Sequence, residues 1–174
     1  MKKNLNDINN KIMQPEKSEN AALLNHLTDL LNKGNAHVTL DESLKNIPFE
    51  IVDKKPHNLP YNLWQIAEHI RIAQWDILGF SKDAHHQSPK WPDGYWPEKA
   101  KPSREEWEKC IQQIKKDRQA FISLLKDSSQ SLFTPFDYGD GQTLFREALV
   151  LADHNSYHTG EIILLRRLLN DWKK

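Results

Sequence analysis

Cysteine is almost missing from this chain. Its 174 residues include one, Cys110, which excludes an internal disulfide framework and any cysteine-rich zinc module. An excess of one charge is missing too. Lys and Arg number 24 and so do Asp and Glu, so the chain lacks the basic footprint of a nucleic-acid binder, and no nucleic-acid partner is expected. No apolar run approaches the roughly 18 residues of a membrane span, so no membrane partner is expected either. The opening MKKNLNDINN has basic residues but no apolar core of a secretory leader. Glycine is sparse, at 6 residues, and there is no G-x-G-x-x-G, P-loop or G-x-S-x-G. The expectation is a soluble, cytoplasmic protein with one ordinary core. What the chain does carry is 8 histidines and 6 tryptophans.

Apolar periodicity predicts helices. Residues 1–16 are polar with no period and read as a tail, leaving 17–174 as one helical domain. From Ser18 to Gly34, Ala21, Leu24, Leu27, Leu30 and Leu31 recur at helical steps. Asp41 reads as the cap of a short helix that Pro48 ends, and Phe49 to Val52 as a short extended stretch. A long helix is predicted from Pro60 to Gly79, with Leu63, Ile66, Ile70, Ala73 and Ile77 as its inner stripe and His69 and Asp76 on one flank. Residues 81–102 hold Pro89, Pro92, Pro97 and Pro102, which preclude a helix and make a long candidate functional loop. Ser103 and Glu106 form a capping box for the next helix, and Thr143 caps the last, which runs to about Asn170. The fold class predicted is all-α: an up-and-down four-helix bundle with long crossover loops and a short extra helix.

The last helix places polar groups where packing alone would put leucine. Asn155 and His158 lie within the stripe of Leu144, Ala148, Leu151, Ile162 and Leu165, and Glu147, His154 and Glu161 lie on its flank. Burying such groups unpaired costs about 1–3 kcal/mol each. So they have partners, or the interior opens to water there. His154 and His158, at i and i+4, project from one face and can reach one divalent ion, and His69 can face them from the other long helix. Three imidazoles with open positions is the pattern of a catalytic metal site. The bland alternative is a set of hydrogen-bonded histidines and a solvated edge for Glu147 and Glu161. Zincin chemistry fails, because Asn155 stands where H-E-x-x-H needs its glutamate. Di-iron chemistry fails, because no Glu precedes a His by three.

At these residues the chain resembles the DinB/YfiT-like family of metal-binding helical bundles. The resemblance rests on LWQIAEHIRIAQWDIL (63–78), WPDGYWP (91–97) and DHNSYHTGEI (153–162), the last similar to the family's His-x-x-x-His-x-Gly-Gln. It implies a four-helix bundle holding a divalent ion, commonly nickel or zinc and sometimes iron, on His69, His154 and His158. It also implies a homodimer. Members with known activity mostly transfer or isomerise small-molecule substrates with low-molecular-weight thiols, and others are described as metal-dependent hydrolases. One departure stands out: Glu161 occupies the usual glutamine position. A carboxylate there can ligate, orient a water or act as a base, which makes Glu161 the candidate catalytic residue. Asp76 is a candidate to support His69.

Trp91, Tyr95 and Trp96 sit between prolines and either wall a substrate pocket or seal the bundle's end. Cys110, beside Trp107, Ile111 and Ile114, reads as a buried and inert thiol, so thiol chemistry would need a thiol from solution. The resulting expectation is a metal-dependent enzyme, a hydrolase or a thiol-dependent transferase. The competing readings are a non-catalytic metal-binding or small-molecule-sensing bundle, and an interaction bundle that binds no metal. Metal affinity is expected to fall once pH drops below about 6.5, the reference value for imidazole.

Overall fold

Capping side chains set where four of the helices begin. The computed structural model describes residues 20–127 and 131–172, and the predicted tail at 1–16 lies outside them. Helix α1 covers 20–33 and ends at Gly34, whose φ of +61° favours glycine and whose Cβ position would lie 2.6 Å from the His37 carbonyl. Helix α2 (Leu40–Leu44) starts earlier than the sequence suggests. Thr39, not Asp41, is its cap, through a reciprocal box with Glu42. The Asp41 carboxylate instead takes a 2.6 Å hydrogen bond from the buried Arg118. Phe49–Ile51 is a 3₁₀ turn and not an extended stretch. With no partner strand, its backbone groups are satisfied locally, through Ile51 N to Pro48 O and Val52 N to Phe49 O.

Helix α3 spans Leu63–Lys82 and is capped by a box between Asn62 and Gln65. Pro60 therefore lies outside the first turn, and Gly79 lies inside the helix instead of ending it. Helix α4 (Arg104–Leu125) begins at the predicted Ser103–Glu106 box, and α5 (Leu144–Leu168) at Thr143. Among the described residues there is no strand, only the isolated bridge Pro135–Thr143, and no helix is long and apolar enough to cross a membrane. The fold is an all-α helical bundle.

Helix α3 packs against both α4 and α5, and α2 packs against α5. The core falls into two clusters. One gathers Leu63, Ile66, Ile70, Trp107, Ile114, Ile162 and Leu165; the other gathers Leu27, Leu31, Phe121, Leu125, Leu144, Ala148 and Leu151. On all three long helices the boundary between clusters is polar. Gln74 on α3 donates to the Ile114 carbonyl at 3.2 Å and accepts from Asn155 on α5 at 3.2 Å. The candidate site lies in this same polar level. Arg166 closes the end of the bundle. It is buried, donates to the Ser43 and Lys45 carbonyls at 2.7 and 3.0 Å, and pairs with Asp171 at 2.6 Å.

Candidate metal centre

Two helices deliver three imidazoles to one point. His69 comes from the middle of α3, and His154 and His158 from successive turns of α5. One ring nitrogen from each lies within 4.8 Å of the others. Ring centroids are 4.8 Å apart for His69 and His154, 4.7 Å for His69 and His158, and 4.4 Å for His154 and His158. Nε2 of His69 and Nε2 of His154 are 3.0 Å apart. Two imidazoles on one tetrahedral ion place their nitrogens about 3.3 Å apart, so this pair already has ligand spacing. His69 and His158 are buried, and His154 is partly so.

Outer partners decide which nitrogen each ring offers. His69 Nδ1 donates to the Tyr95 carbonyl at 2.8 Å. His158 Nδ1 donates to the Glu161 carboxylate at 2.7 Å. In both rings this leaves Nε2 as the free lone pair, the tautomer that ligates. His154 Nδ1 is buried with no hydrogen-bond partner. The donor set therefore fits a divalent ion of the zinc, nickel or iron class.

Burial keeps the rings neutral. It pushes His154 down to about 3 and His158 to about 4, and the neighbouring imidazoles add to both shifts. His69 is also lowered by burial, opposed by the Tyr95 carbonyl and by Glu161. Proton competition for these nitrogens thus begins lower than the expected 6.5. Burial raises Glu161, opposed by a hydrogen bond from Tyr157 and by His69. Glu161 is part-exposed and anchored on His158, whereas Glu147, also read as a solvated edge, is buried and paired with Arg146 at 2.6 Å.

The aromatic loop is tied directly to the site. Trp96 stacks on the His69 ring at 4.1 Å and 5°, and Tyr61 stacks on the other side of Trp96 at 3.9 Å and 8°. Trp91 is exposed, and its ring meets the edge of the Tyr95 ring at 5.4 Å. The prolines of 89–97 signalled a stiff aromatic loop, but not that a backbone carbonyl within it holds a histidine. Asp76 does not bond His69. Its carboxylate takes the His86 imidazole at 2.7 Å and the Tyr95 phenol at 2.5 Å. Cys110 is buried, and burial raises its pKa first of all, so it stays a thiol.

No curated protein and no solved structure matches the chain. A sequence model of the DinB superfamily does match, over residues 35–162. That span opens just before α2, takes in His69, the aromatic loop, His154 and His158, and covers most of the chain. With the bundle and the convergent histidines it places the protein: the chain belongs to the DinB superfamily.

Proposed function

We propose that this protein is a divalent-metal-dependent enzyme, a hydrolase or a low-molecular-weight-thiol transferase, with His69, His154 and His158 as the metal ligands. The observation that carries the reading is the convergence of three neutral imidazoles, two of them buried and with their outer nitrogens already bonded. Three protein ligands leave coordination open to a small-molecule substrate, as catalytic sites do. A bound ion would act as a Lewis acid toward a substrate atom, water or thiol. Glu161 supports the ion's field by holding His158, and as a part-exposed carboxylate raised by burial it is the group to move a proton at the site. Trp96, backed by Tyr61, covers one face of His69 and keeps water from it. Cys110 is enclosed in the core, so any reacting thiol enters as a co-substrate.

The single unpaired cysteine suits a reducing, cytoplasmic setting. Tyr157, Leu164 and Leu168 are exposed and share one side of α5, which gives a second copy an apolar strip to cover and supports a homodimer. The test is a turnover screen on metal-stripped protein, using activated esters or amides, and alkyl halides or epoxides with a small thiol. The expected result is activity restored by zinc, nickel or iron and absent in His158→Ala. No metal-dependent turnover in either class would leave a metal-binding protein without catalysis.

A further inference from the structure

A second, part-buried polar chain runs alongside the imidazole cluster. At its centre is Asp76, two turns beyond His69 on α3 and only 9% exposed. Both of its oxygens are occupied: Oδ1 by His86 Nε2 at 2.7 Å and Oδ2 by the Tyr95 phenol at 2.5 Å. The same Tyr95 offers its carbonyl to His69 Nδ1 at 2.8 Å. Its neighbour Trp96 stacks on the His69 ring. Asp76 therefore reaches His69 through one residue, whose phenol is anchored and whose backbone does the holding.

Gly79 belongs to this arrangement. A Cβ there would lie 2.4 Å from both Cε1 and Nδ1 of His86. Glycine weakens a helix interior relative to alanine, so packing alone would favour alanine. Its absence leaves room for the His86 ring, which also meets the Trp75 ring at 4.9 Å.

We propose that Asp76, His86 and Tyr95 form a positioning unit for His69. His86 and Asp76 lock the Tyr95 phenol, and the Tyr95 carbonyl fixes the proton of His69 on Nδ1, so that Nε2 is presented to a divalent ion. The unit rests on the metal-centre reading above for its purpose, but its geometry is independent of any ion. An imidazole ligates only through its unprotonated nitrogen, so control of the tautomer is control of the ligand. The rival account is that these bonds merely pin the loop to α3.

Tyr95→Phe separates the two, because it keeps the ring and the carbonyl and removes only the hydroxyl. Two measurements are made on the full chain: imidazole ¹⁵N NMR of the metal-free protein, and zinc affinity by competition with a chromophoric chelator. The unit predicts that His69 loses its pure Nδ1–H tautomer and that zinc affinity falls about 10–100-fold. Gly79→Ala displaces His86 while favouring the helix, and it should lower zinc affinity in a fold that remains intact. If the folded variants keep both the Nδ1–H tautomer and wild-type zinc affinity, the unit is overturned. If Tyr95→Phe does not fold, Gly79→Ala decides on the same two readouts. A wild type that binds no zinc would defeat the metal-centre reading, while the tautomer comparison would still decide the positioning unit.

Discussion

Removing the carboxylate of Glu161 should weaken metal binding without unfolding the protein. The 2.7 Å bond from His158 Nδ1 to Glu161 Oε2 is charge-assisted and stands between residues three apart on α5. It fixes the His158 tautomer and raises the basicity of Nε2. Loss of such an outer partner costs about 10–100-fold in metal affinity, or about 1.4–2.7 kcal/mol. The folded state should notice less. The Glu161 side chain is 33% exposed, so water can take over part of the lost acceptor and Glu161→Ala should cost about 1 kcal/mol of unfolding free energy. Glu161→Gln retains a neutral acceptor and should sit near the mild end of the affinity loss. The assay is a competition titration of metal-stripped, untagged protein with a chromophoric chelator, beside urea denaturation of the same samples. If Glu161 also moves a proton, Glu161→Gln should cost about 10²–10⁴-fold in turnover with the metal retained. Wild-type affinity in both variants would refute the link from Glu161 through His158 to the ion.

Other perturbations give distinct outcomes. His154→Leu should abolish stoichiometric zinc binding yet shift the stability of the metal-free protein by no more than about 1 kcal/mol, because the loss of the Nε2 bond to His69 is offset by removal of a buried Nδ1 with no partner; thermal melts with and without zinc check both. Metal-free protein should lose stability as pH falls below 6.5. The folded values of His154 and His158, about 3 and about 4, lie below 6.5, so the unfolded chain binds more protons in that window. The rings cost nothing above 6.5, and urea midpoints at pH 7, 5 and 4 should fall more steeply in wild type than in His154→Leu/His158→Leu. Arg166→Ala strips the Ser43 and Lys45 carbonyls of their donor and should cost at least about 2 kcal/mol in urea, whereas Arg167→Ala, on the exposed side, should cost far less.

The long helices were legible because their signals are local. Ser103 with Glu106, and Thr143, mark the starts of α4 and α5, and the apolar stripes mark their inner faces. The histidines were legible because i and i+4 on one helix share a face by geometry alone. What escaped was long-range. Thr39 displaced Asp41 as a cap, and Asp41 went to Arg118, which lies 77 residues away. Gly79 read as a helix end because the His86 ring that requires it arrives from a loop. Glu147 read as a solvated edge because its burial depends on how the helices pack, although its partner Arg146 is its neighbour in the chain. The Tyr95 carbonyl left no trace in the sequence, since every residue carries the same backbone carbonyl.

X-ray absorption on protein purified without a histidine tag tests the metal centre most directly. The account predicts one divalent ion per chain with three imidazole nitrogens at about 2.0–2.1 Å, reduced to two in His69→Ala. Protein that retains no stoichiometric ion after loading, or an ion whose shell is unchanged in His69→Ala, would contradict it.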